Sequence, residues 1–330
     1  MNRVGWIFLA AGLAACQAES PKLVPPPVKK VERVQSVRET RSFVLNPKVD
    51  ILFVVDNSGS MYAKQQNLAA NINLFTASLK RMALDYHIGV LTSTIDEFSS
   101  EGGGRLVGSP NFVDTSTPNG DWVLSNRLIV GTSGSGVERF FDPVYLALTP
   151  PLIGGLNAGF YRQVAHLAVI FITDAEEQSN MSGPDFYNFL VGLKHNKDKV
   201  LAYAAIIPSG AAVGPSCDRD DPYQLPVKME NFLQMMRSTP LNLCDGDFGL
   251  KFADLGANLA RRVGRTLYLD RPPVLDSIKV TYDGVEVPND INRGWVYNSE
   301  LNALELTAVV NFSANPTGKF TVDYVAAEYN

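Results

Sequence analysis

The runs "ILFVV" (51–55), "LAVIFIT" (167–173) and "VLAYAAII" (200–207) constrain this chain most, because each is apolar at consecutive rather than alternate positions. Successive side chains of a strand point to opposite faces, so such strands must be covered on both sides, as in parallel sheets flanked by crossover helices. The segments "AKQQNLAANINLFTASLKRM" (63–82), "GVERFFDPVYLAL" (136–148), "GPDFYNFLVGLKH" (183–195) and "GLKFADLGANLARRV" (249–263), the last closing the domain before "TLYL" (266–269), supply helices, and "YHIGVLTST" (86–94) reads as a further strand. The expected fold is an α/β doubly wound sheet. Asp96 to Gly131 and Pro208 to Pro226 read as long surface insertions.

In "VDILFVVDNSGSM", Val49 to Met61, the first strand ends on Asp56 and is followed by Ser58, Gly59 and Ser60. Open α/β sheets bind ligands beyond the carboxyl ends of their strands, near a reversal of strand order. Asp174 follows the carboxyl end of "LAVIFIT", so two distant segments deliver oxygen donors to one edge. Carboxylates and hydroxyls without His or Cys suit a hard cation, Mg²⁺ first, with Mn²⁺ or Ca²⁺ as alternatives. The plain structural reading is a polar turn in which Ser60 caps the next helix.

"VDILFVVDNSGSM", with "FITDAEEQS" further on, resembles the von Willebrand factor type A (VWA) domain and its metal-ion-dependent adhesion site, the DxSxS motif or MIDAS. The resemblance covers about Val49 to Leu269. It implies a Rossmann-like fold in which two serines and a threonine ligate the ion, aspartates act directly or through water, and a carboxylate from a protein partner completes the octahedron. Asp56, Ser58, Ser60 and Asp174 match that pattern. For the third loop, "GTSGSGVERFF" offers Thr132 by residue type and Ser135 by spacing, while "SGVE" (Ser135 to Glu138) also reads as a capping box. Glu176 and Glu177 read as acids of a helix first turn.

The start of the chain carries export signals. "MNRVGWIFLAAGLAAC" has one basic residue, an apolar segment and small residues, as a signal peptide does. Its end resembles a bacterial lipobox, which implies lipidation of Cys16, a membrane anchor and, with Gln17 next, the outer membrane of the cell envelope. Residues 17–45 begin as a Pro-rich charged tether, whose later part (Val34 to Val44) could instead pair as an edge strand. With Cys16 assigned to the lipid, Cys217 and Cys244 remain as a disulfide pair for an oxidising compartment. The formal charge of −5 offers no footprint for nucleic acid.

Two expected regions follow the signal segment (1–16) and the tether (17–45): the domain at 46–270, which carries the site, and a β-rich, sandwich-like module at 271–330, whose sequence implies no chemistry. In the latter, "DSIKVTYDGVEVP" alternates around Asp283-Gly284, a hairpin signal, and Phe320, Val322 and Tyr324 share one face. Taken together, the sequence leads to a non-enzymatic, adhesion-type binding protein that captures a partner's Asp or Glu through a bound cation. An envelope assembly scaffold using the same site, or a metal-assisted hydrolase, are the alternatives.

Overall fold

The computed structural model describes residues 37–44, 48–95, 102–212, 225–307 and 318–327. The expected signal peptide, most of the expected tether, Cys16 and Cys217 therefore lie outside the described residues. In chain order the elements are β1 (Arg38–Val44), β2 (Lys48–Val55), α1 (Tyr62–Arg81), β3 (Asp85–Thr92), β4 (Val113–Asp114), α2 (Gly120–Leu128), α3 (Phe141–Ala147), β5 (His166–Ile172), α4 (Gly183–Lys194) and β6 (Val200–Ile206). There follow α5 (Val227–Met235), β7 (Leu241–Asn242), α6 (Phe248–Gly264), β8 (Thr266–Tyr268), β9 (Lys279–Tyr282), β10 (Val285–Val287), β11 (Trp295–Asn298), β12 (Ala303–Leu306) and β13 (Lys319–Val325).

Six strands form a sheet in the order β4-β3-β2-β5-β6-β7, parallel except for the short antiparallel edge β4. The doubly apolar strands sit at its centre and serve two cores. Ile51, Phe53 and Val55 of β2 face α1, α2 and α6, while Leu52 and Val54 face α3, α4 and α5. Phe75 of α1 stands between Phe53 and Phe252, with ring centroids 5.6 and 5.1 Å away. On the opposite face Phe141 stacks on Phe186 at 4.3 Å. α6 approaches α1 closely because residue 256 is glycine: a Cβ there would lie 2.8 Å from the Phe75 carbonyl oxygen.

Several elements differ from the sequence reading. The helix expected over 136–148 forms only over Phe141–Ala147, because residues 136–140 are irregular backbone. Within the insertion at 96–131, α2 buries Leu124 and Leu128 against α1, an amphipathic turn too short to stand out among its Gly, Ser and Asn neighbours. α5 likewise follows the second insertion and buries Met229, Phe232 and Leu233. The segment at 34–44, open between tether and strand, is a strand over Arg38–Val44 that pairs antiparallel with β13.

The remaining strands form two antiparallel sheets, β1-β13-β9-β10 and β11-β12-β8, around a third apolar core. Phe320, Val322 and Tyr324 are fully buried in it, as their alternation requires. The β9–β10 hairpin turns on Asp283 and Gly284, whose φ of 48° and 83° fit a tight type I′ turn. β8, placed in sequence at the end of the first domain, pairs with β12 and so belongs to this module. Hydrogen bonds tie it to the first domain: Arg237 donates to the Glu300 carbonyl, and Leu306 N–H donates to the Arg265 carbonyl at 2.8 Å.

Candidate metal centre

The chain leaves β2 toward β3 on one side and β5 toward β6 on the other, so the winding reverses between β2 and β5. Asp56 and Asp174 emerge there, side by side, from adjacent parallel strands whose ends are tied by Asp56 N–H to the Ile172 carbonyl at 2.9 Å. A reversal of this kind opens a crevice, because the loops on its two sides diverge to opposite faces.

Three of the sequence-selected donors form a chain across that crevice. The Ser58 and Ser60 hydroxyls are 3.1 Å apart, and the Ser60 hydroxyl donates to Asp174 Oδ1 at 3.0 Å. Ser58 and Asp174 are buried, whereas Ser60 is exposed and forms the rim. The hydroxyl of Ser60 makes no cap to the backbone of the following helix, which removes the plain capping reading.

Asp56 lies behind them, fully buried. Its carboxylate accepts from Ser58 N–H at 2.8 Å and from the Thr173 hydroxyl at 2.6 Å. Burial pushes the Asp56 carboxyl up to about 6; the Thr173 and Ser58 hydrogen bonds oppose the rise, and neighbouring Asp174 adds to it. Lys64, from the first turn of α1, places its ammonium on Asp174 Oδ2 and also donates to the Ser60 carbonyl at 3.3 Å.

The third loop is held against the first by backbone and amide contacts. Gly134 N–H donates to the Asn57 carbonyl at 2.8 Å, and the Asn57 side chain accepts from the Ser93 and Thr94 hydroxyls, each at 3.0 Å. A Cβ at position 134 would fall on the Asn57 side chain, so glycine lets the two loops touch. Gln65 bridges the same loops by donating to the Asp56 and Gly131 carbonyls, both at 2.8 Å. Thr132 and Ser135 are thus carried on a loop docked beside the crevice. The Ser135 hydroxyl accepts from Val137 N–H at 3.0 Å, and its N–H donates to Thr94 at 3.3 Å. The capping box is not formed: the helix starts at Phe141, and buried Glu138 accepts from the Gln178 side chain at 3.2 Å instead.

Glu176 and Glu177 also do something other than charge the start of their own helix, which begins only at Gly183. Glu177 accepts from Phe140 and Phe141 N–H at 2.8 and 3.0 Å, capping α3 from a distant loop. Glu176 accepts from Lys228 N–H at 2.9 Å and so caps α5. Capping by residues far away in sequence leaves no local spacing to read, which is why the roles were invisible before folding.

The donor set fits a hard divalent cation. Among the described residues no group of three or more His, Cys, Asp or Glu assembles, so a soft or nitrogen-rich site is not built; the crevice combines two desolvated carboxylates with hydroxyls. Sequence reasoning missed Thr173, Asn57, Gln65 and Lys64. Thr173 carried a usable signal, since it precedes Asp174 on the same strand end. Cys244 is half-buried against the first core, while its expected partner Cys217 lies outside the described residues.

No protein-family model matches the chain, and no curated protein matches it in sequence. Among solved structures it is similar to proximal thread matrix protein 1 from the mussel byssus, at 14% identity over 67% of this chain and 48% of that one, with a TM-score of 0.40. A structure of the same mussel protein with a zinc-occupied MIDAS motif aligns at 16% identity over 66% of this chain and 48% of that one, TM-score 0.40. Similarity extends to the pilus adhesin SpaC from Lactobacillus rhamnosus GG, at 13% identity over 84% of this chain and 39% of that one, TM-score 0.41. The chain spans less than half the length of each of these proteins.

Proposed function

We propose that the crevice at Asp56 and Asp174 is a divalent-cation seat through which this chain binds an acidic side chain of a protein partner. One observation carries the reading: Ser58, Ser60 and Asp174 form a continuous line of oxygen donors in which the exposed Ser60 hydroxyl at the rim links the buried Ser58 and the buried Asp174 carboxylate. Ser58, Ser60 and Asp174 would hold the ion, with Asp56 behind them and Thr132 or Ser135 from the third loop. Mg²⁺ is the first choice for such donors, with Mn²⁺ and Ca²⁺ next. A cation there offsets two desolvated carboxylates and offers a directional positive charge to an Asp or Glu at the rim. Exposed Tyr62 and Val137, which follow the donor loops closely in sequence, would flank that carboxylate.

Binding is favoured over catalysis by where the proton carriers sit. His87 and His166 lie toward the amino-terminal ends of β3 and β5, and His195 ends α4, all away from the carboxyl edge that holds the seat. In this reading the lipid anchor at Cys16 and the tether present the seat from the outer membrane.

The test is calorimetric titration of Mg²⁺, Mn²⁺ and Ca²⁺ into the full-length chain and its Asp56→Ala variant, followed by partner capture with and without chelator. Saturable uptake lost in Asp56→Ala, and capture abolished by chelator, are the expected results. A folded wild type that takes up none of the three ions would remove the seat.

A further inference from the structure

The two carboxylates of the crevice are treated differently. Asp56 receives only neutral donors, Ser58 N–H and the Thr173 hydroxyl. Asp174 comes from a segment 110 positions away from Lys64, yet it receives that lysine's ammonium on Oδ2 while Oδ1 accepts from Ser60. Among the described residues, Lys64 is the cation that forms an ion pair with either carboxylate. Its side chain is 14% exposed and Asp174's is wholly buried, so the pair is largely shielded from water. The ammonium also holds the Ser60 carbonyl at 3.3 Å, which brings it against the rim of the donor line.

An ammonium and a divalent cation bound to one buried carboxylate repel each other strongly, since little water lies between them to screen the charges. Lysine is suited to leave: its charge sits on a flexible four-carbon stem, and the compact ammonium hydrates readily once outside. A lysine in this place therefore does two things. It neutralises Asp174 while the crevice holds no ion, and it opposes the ion's entry.

We propose that Lys64 is the built-in counter-ion of the seat, occupying Asp174 in the ion-free protein and setting divalent affinity by competition. The inference rests on the cation-seat reading above. Once displaced, the ammonium stands at the rim near Ser60, where it adds a second positive charge for an incoming carboxylate. Ion uptake and partner binding are coupled in this way.

Full-length wild type, Lys64→Met and Lys64→Arg are titrated with Mg²⁺ and Mn²⁺ by calorimetry, and thermal melts are recorded in chelator and in saturating ion. Methionine keeps the length of the stem without the charge; arginine keeps the charge. Lys64→Met is expected to bind at least tenfold more tightly than wild type and to melt lower in chelator, with the difference reduced or reversed in saturating ion. Lys64→Arg is expected to stay within about threefold of wild-type affinity. Equal or weaker binding by folded Lys64→Met, with clear binding by wild type, would overturn the proposal and make Lys64 a support of the site. Absence of saturable binding in both proteins would fail the cation seat itself, and this inference with it; binding by Lys64→Met alone would support both.

Discussion

Strand β2 begins and ends beside a buried aspartate, and the two are treated in opposite ways. Asp50, at the amino-terminal edge of the sheet, is met by cations: the Arg162 side chain donates to it at 2.7 Å, Arg162 N–H at 2.6 Å, and the Lys194 ammonium lies 3.8 Å away. His87 stands at 3.9 Å, and Arg162 continues to Asp85 at 2.6 Å. Asp56, at the carboxyl edge, has hydrogen bonds but no cation of its own among the described residues. Both are fully removed from water. A carboxylate that serves the fold is supplied with its counter-charge by the chain, because an unpaired buried charge is costly. One left with neutral donors, beside a second carboxylate and at a reversal of winding, is a place where a charge can be added from outside.

Matched substitutions at the two ends break or sharpen this contrast. Asp50→Asn is expected to destabilise the protein by about 3–5 kcal/mol in urea unfolding, since it removes the carboxylate that faces the wholly buried Lys194 ammonium and leaves Arg162 with the carboxylate of Asp85 alone. Asp56→Asn, measured in chelator, is expected to stay within about 1 kcal/mol of wild type, because the amide oxygen keeps one acceptor and a buried charge is relieved. The same variant should lose at least about tenfold to a hundredfold in divalent affinity. Equal destabilisation at both positions would end the distinction.

The amino-terminal edge should also answer to pH. His166 opens β5 there, its Nδ1 sealed from water without a partner among the described residues, and burial pushes its pKa down to about 4, with Lys199, Lys194 and Arg262 lowering it further against a hydrogen bond that the ring donates to the Lys48 backbone. A base depressed in the fold is neutral when folded but takes up a proton when unfolded. Its contribution is thus complete above the unfolded value of about 6.5 and is lost as pH falls toward 4. Unfolding free energy should drop by about 2–3 kcal/mol over that window, and His166→Gln should flatten the drop relative to wild type.

Smaller effects test how the loops are held. Glu177→Ala leaves Phe140 N–H without its acceptor and Phe141 N–H with the Ser179 hydroxyl alone, and should cost about 1–3 kcal/mol. Urea midpoints would show it, and no change would mean that α3 does not need its distant cap. Gly134→Ala is expected to cost about 1–2 kcal/mol of stability, since the Asn57 side chain must turn away from the Ser93 and Thr94 hydroxyls to make room. It should still weaken ion binding, because the third loop then moves off the first; calorimetry on the variant reads that directly.

Consecutive apolar residues determined the central strands, since only burial on both faces accommodates them, and the spacing of apolar residues determined α1, α4 and α6 to within a residue or two. DxSxS at a strand end, with Asp174 at another, was legible for the same local reason: the donors follow from strand geometry and strand order. The Asp283-Gly284 hairpin was equally local. What the sequence left open had partners far along the chain. Glu176 and Glu177 cap helices begun by other segments, Thr173 and Lys64 become neighbours of the crevice only when β2 and β5 lie together, and β1 finds β13 nearly three hundred residues later. Local periodicity is set by the backbone and can be read along the chain; long-range hydrogen bonds and ion pairs depend on which surfaces the hydrophobic cores bring into contact, and only the tertiary structure decides that.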